Sequence, residues 1–168
     1  MKNQDDIVEK LRDFADSEDT TALKQFTRQY SPDVIAEFLD KIDDAKIVLQ
    51  VLAVMNIEDA AETLMALYPE LRIKLIKNLP TEQIAEYIRI LPSDDAEDIL
   101  DELEEDERVG EVLAMLPEDE RLKLEELYAH PDESAGAIMA HEVEHLPGSY
   151  NVAQAIADLL RFGEDIEE

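Results

Sequence analysis

The sequence predicts an all-α fold, an α-solenoid of short stacked helices. Three observations predict it: regularly spaced helix junctions, a helix cassette that repeats chemically, and apolar stripes of helical period. The junctions fall close to every twelfth residue, at Pro32, Asp44, Asn56, Pro69, Pro80, Pro92, Glu104, Pro117 and Pro131. Such spacing allows helices of roughly two to three turns joined by tight corners. Each pair then leaves its apolar faces bare until a neighbour covers them.

The cassette has two flavours. One runs Asp33, Val34, Ile35, Ala36, Glu37, Phe38, Leu39, and returns as Asp59 to Leu64 and as Gln83 to Ile88. Between the first two, the apolar stretch Ile47 to Met55 fills the space from Asp44 to Asn56. The other flavour places a base just after an acidic first turn: Glu70, Leu71, Arg72; then Asp106, Glu107, Arg108; then Glu118, Asp119, Glu120, Arg121. Acids early in a helix complement its dipole, and Ser31, Thr81 and Ser93 beside the prolines read as N-caps.

Composition narrows the function. The chain has 168 residues and 45% hydrophobic content, enough for a core, while its few aromatics suit the thin layers of a solenoid. With no cysteine there is neither a disulfide framework nor a thiolate metal site. Met1 to Asp6 is polar and acidic, unlike a secretory signal, and Ile47 to Met55 falls far short of the roughly 20 apolar residues that cross a bilayer. Fifteen Lys and Arg against 43 Asp and Glu leave a net charge of −28, which repels phosphate backbones and anionic lipid. Nucleic acid is therefore not expected as a partner, and cations are.

The charge is concentrated. From Asp94 to Glu107 every residue is acidic except Ala96, Ile99, Leu100 and Leu103, which draw one narrow apolar stripe on a helix. Asp94 and Asp98, Glu97 and Asp101, and Asp98 and Glu102 are like charges four apart, each pair costing a helix roughly 0.2–0.5 kcal/mol without counter-charge. A bound divalent cation reverses that sign. Magnesium takes one or two protein carboxylates and keeps several waters, which suits an acidic face meeting another acidic surface. The competing reading is an ordinary solvated helix face.

Past Glu126 the pattern changes. Small residues at Ala135, Gly136 and Ala137 let a short helix sit close to a neighbour. Val143 and Leu146 flank a short strand, Pro147 and Gly148 turn the chain, and Asn151 caps an amphipathic helix carrying Val152, Ala155, Ile156, Leu159 and Leu160. One strand and one helix do not make a domain, so the chain is expected to stop inside its second module.

The helical repeats with Leu-Pro corners, followed by Tyr-x-x-x-x-Glu-Ser-Ala-Gly-x-Ile-Met from Tyr128 to Met139, resemble the cytosolic N-terminal domain of MgtE-type magnesium transporters running into their first CBS domain. The resemblance implies a right-handed superhelix of about ten short helices, followed by a truncated CBS strand-helix fragment. It implies a helical repeat domain over 1–129, a connecting helix or linker over 130–141, and an incomplete CBS start over 142–168. The implied function is a magnesium-sensing regulatory domain on the cytoplasmic face of the cell membrane. In that scheme Mg2+ between acidic N-domain and CBS surfaces holds a pore closed, and loss of the ion lets repulsion open it. Position by position, the implied metal ligands are Glu62, Asp94 and Asp98. The implied partners are the protein's own CBS and transmembrane domains, in a homodimeric parent.

Two rivals differ in class. His141, Glu142, Val143, Glu144, His145 matches the zinc-hydrolase pattern H-E-x-x-H, which needs a helix through both histidines. Pro147-Gly148 follows at once, and on a strand the two rings stand roughly 13 Å apart, so they read as surface histidines. The glycines at 110, 136, 148 and 163 are isolated, so no phosphate-cradling loop is present, and the chain is expected not to be an enzyme. The second rival is a helical-repeat adaptor, comparable to the middle domains of flagellar motor-switch proteins, which binds protein partners and needs no ion.

Overall fold

The computed structural model describes residues 4–103, 105–128 and 148–162, and among these it contains eleven helices and no strand. The helices are α1 (Gln4–Asp16), α2 (Thr20–Thr27), α3 (Pro32–Ile42), α4 (Ala45–Leu52), α5 (Ile57–Ala66), α6 (Pro69–Ile76), α7 (Thr81–Ile88), α8 (Ser93–Glu102), α9 (Asp106–Met115), α10 (Glu118–Tyr128) and α11 (Val152–Phe162). The all-α expectation holds.

Each of α1 to α8 packs on the helix two places further along the chain. One row runs α1, α3, α5, α7, α9, and the other runs α2, α4, α6, α8, α10. This is the superhelical stack that the junction spacing demands, since helices of 8 to 13 residues cannot bury an apolar face alone. Between the rows lies one continuous core. Leu11, Ile35, Leu39, Val48, Val51, Ala61, Leu75, Ile76, Ile99, Leu100 and Val112 are fully buried, so every layer contributes small or medium aliphatic groups. Ring-on-ring contacts lie in the first layers, where Phe26 meets Phe14, Tyr30 and Phe38 at centroid distances of 6.4, 5.1 and 6.2 Å, while Tyr87 of α7 is buried among aliphatic groups.

The corners form by several devices. Asp19, Asp44 and Asn56 are side-chain N-caps: Asp19 accepts from the Ala22 N–H at 2.9 Å, Asp44 from Lys46 at 2.9 Å, and Asn56 from Asp59 at 2.8 Å. Asn151 and Gln154 cap α11 reciprocally, each side chain accepting the other's backbone N–H at 3.0 Å. The expected hydroxyl caps are corrected. Ser31 occupies the N-cap of α3 without a side-chain cap bond, while Thr81 and Ser93 are first helical residues behind Pro80 and Pro92. The proline ring sets φ at the corner, and the proline carbonyl accepts the first helical bond, from Ile84 and Ala96 respectively. Proline at the N-cap position offers no side-chain acceptor to the first-turn N–H groups.

A longer-range device starts α6. Its N-cap residue Tyr68 makes no side-chain cap bond, and its first residue is Pro69. The Tyr68 N–H is instead accepted by the Asp40 carboxylate of α3, at 3.0 and 3.2 Å. Burial raises the Asp40 pKa; the Tyr68 hydrogen bond opposes that, and the nearby Asp43 and Glu70 charges add to it.

The junction at Glu104 lies outside the described residues, and Glu105 holds the N-cap position of the next helix without a side-chain cap bond. Pro131, the small residues 135–137, the strand flanked by Val143 and Leu146, and His141 and His145 also lie outside them. Beyond that stretch, α11 forms as expected, with Val152 and Ile156 exposed.

Candidate metal-responsive face

Helix α8 carries the acidic run, and its predicted stripe is its buried face: Ala96, Ile99, Leu100 and Leu103 are at most 2% exposed. The helix is thereby locked in rotation, which fixes where its carboxylates point. Asp98 and Asp101 are exposed, while Asp94, Asp95 and Glu102 are half-buried. Glu97 is 8% exposed and belongs to the buried side, because it neighbours the stripe on the helical wheel. One oxygen of Asp94, Oδ1, is buried and accepts no hydrogen bond.

The acidic face is not without counter-charge. Arg72, on α6, reaches across and donates to both oxygens of Glu102: Nε at 3.0 and 3.1 Å, and Nη2 to Oε1 at 2.6 Å. Its remaining arm, Nη1, donates to the Met65 carbonyl near the end of α5 at 2.9 Å. Both side chains are 13% exposed, and the fork geometry is the strong, bidentate kind. The guanidinium is held charged first by its bond to Glu102 and further by the negative charge of Asp98 and Asp95.

The other bases of the same cassette play related parts. Arg108 on α9 donates to the Lys77 carbonyl at 2.8 Å and to the Leu79 carbonyl, closing the corner after α6. Arg121 on α10 stays local, 3.8 Å from Glu125. Sequence reasoning read these arginines only as markers of helix starts. Their recurrence at equivalent repeat positions was the available signal that two of them tie layers together.

Glu62 lies exposed on α5, in the odd row, whereas Asp94 and Asp98 lie on α8, in the even row. The Arg72 clasp links the ends of those two helices. Among the described residues, no group of three or more histidine, cysteine or acidic side chains is close enough to hold a metal ion. No helix of the described residues is long and apolar enough to cross a membrane.

Residues 30–133 match the model of the MgtE intracellular N domain. The chain belongs to the MgtE intracellular N domain family. Its α1 and α2 lie wholly ahead of the matched residues, yet they pack on α3 and α4 and continue both rows of the MgtE-type stack. Two solved structures share the fold. One, described as the cytosolic domain of the Mg2+ channel MgtE in complex with ATP, aligns at TM-score 0.82 and 24% identity over 96% of this chain. The other, described as the soluble part of a magnesium transporter, aligns at TM-score 0.82 and 17% identity over 99% of it. This chain spans 65% of the length of each. No curated protein matches it.

Proposed function

We propose that this MgtE-type domain is the magnesium-sensing regulatory part of a magnesium channel or transporter, working at the cytoplasmic face of the membrane. The supporting observation is the rotationally fixed α8, which buries its stripe and presents Asp98 and Asp101 to solvent with the half-buried Asp94 one turn before Asp98. In this reading Mg2+ bridges those carboxylates, together with Glu62 on α5, to acidic groups of the protein's own CBS region. Each ion then takes one or two ligands from either side and keeps waters on the rest. When the ion leaves, carboxylates a few ångströms apart repel, the domains separate, and a pore in the membrane part is released. The parent protein works as a homodimer.

The test uses the longer protein carrying the complete CBS pair. Millimolar Mg2+ is expected to compact it and protect it from protease, while monovalent salt of equal ionic strength does not. Asp94→Asn together with Asp98→Asn should abolish most of the divalent-specific part, and Glu62→Gln should weaken it. A response matched by NaCl, or unchanged in the double variant, refutes the ion bridge at this face and favours the adaptor reading.

A further inference from the structure

Acids outnumber bases almost three to one in this chain, 43 to 15, and several of the described bases are engaged. Arg72, Lys74, Arg89 and Arg121 pair with carboxylates, and Arg108 holds backbone carbonyls. Lys24 and Arg28 have none among the described residues, although they stand four apart on one side of α2 and its C-terminal corner. Both line a groove of about 580 Å3 between α2 and the corner after α4.

The groove has two kinds of wall. Thr20, Thr21, Lys24 and Arg28 supply donors along α2, and Val54 and Met55 supply an apolar side. Met55 is held in place by the Thr63 hydroxyl, 3.9 Å from its sulfur. Asp59 lines the adjoining pocket beside both bases; its carboxylate accepts from the Asn56 amide at 2.7 Å and makes no ion pair with Lys24 or Arg28.

The geometry points to a docking site for an acidic peptide segment of a partner protein, one carrying two carboxylates beside an aliphatic side chain. Charge complementarity carries the inference: on a surface of net charge −28, two adjacent unpaired cations select an anionic occupant and fix its register. The apolar wall favours a peptide over a small anion, because a phosphate or dicarboxylate gains nothing from Val54 and Met55. The groove lies on α2, outside the acidic helix, so this site stands whether or not magnesium acts on α8.

The experiment uses the full chain and a fluorescent hexapeptide of sequence Asp-Glu-Leu-Glu-Glu-Asp, read by anisotropy at physiological salt. Saturable binding is expected, weakened roughly tenfold when Lys24→Ala and Arg28→Ala are combined, and weakened further when Leu is replaced by Ser in the peptide. Both bases are exposed, and the melting temperature of the variant shows that the stack is intact. Lys24→Arg should retain binding. Equal binding to the double variant, no binding at millimolar peptide, or displacement by phosphate or succinate at the same concentration as by peptide each overturns the proposal. So does concentration-dependent self-association lost in the double variant, which assigns the groove to a second copy.

Discussion

Arg72 donates three hydrogen bonds to Glu102, thirty residues away, and its fourth to the carbonyl of Met65. One guanidinium thus ties α5, α6 and α8, the first and last of which bear the candidate ligands. Arg72→Met leaves Glu102 half-buried with no counter-charge and the Met65 carbonyl without this donor. The expected loss is about 3 kcal/mol in urea unfolding. Replacing Glu102 by Met as well should recover most of it, since the cost lies in the stranded charge; equal losses in the single and double variants would show that the pair itself supplies the stability.

The caps separate cleanly by geometry. Asn56→Ala removes the acceptor for the Asp59 N–H and should cost about 1 kcal/mol, whereas Ser31→Ala removes no cap bond and should change stability by less than about 0.5 kcal/mol. Thermal unfolding of the two variants side by side decides the point. A larger loss at Ser31 would contradict the proline-set corner.

Leu100 is fully buried and Leu122 is 54% exposed. Truncating Leu100 to Ala should cost about 2–5 kcal/mol, and truncating Leu122 less than about 0.5 kcal/mol. Because α8 owes its rotation to the stripe, Leu100→Ala should also loosen amide protection across α8, measured by hydrogen exchange, before it affects α3.

Asp40 gives the pH dependence a definite sign. Burial raises its folded pKa above the ordinary 3.8, so the folded state holds this proton more tightly than the unfolded state. Its contribution is most favourable below 3.8 and is lost as the pH rises through the folded pKa. Asp40→Asn keeps an acceptor for the Tyr68 N–H and removes the titration. The stability difference, variant minus wild type, should therefore shift in favour of the variant as the pH climbs through that window and be flat above it. A shift of opposite sign in denaturation at successive pH values would mean that the Tyr68 hydrogen bond outweighs burial.

The helices were legible because their signals are local: twelve-residue spacing, caps such as Asn56 and Asn151, and a stripe with no polar interruption at Ala96, Ile99, Leu100 and Leu103. Burial of Glu97 was not legible, since a wheel position beside the stripe is decided by what packs against it. Nor was the Arg72 clasp, whose partners lie seven and thirty residues distant and meet only after the two rows form. The row assignment of Glu62 and Asp94 depends on that same stacking. Residue spacing alone carries no record of it.

Four rings that touch one another, Phe14, Phe26, Tyr30 and Phe38, belong to the opening layers. Beyond them the layers are held mainly by slimmer aliphatic groups, with far less contact area per side chain. A solenoid so built has a ballasted end and a pliant end. Local opening is therefore expected to begin toward α9 and α10 and to reach α1 to α3 last, an order that hydrogen exchange would read.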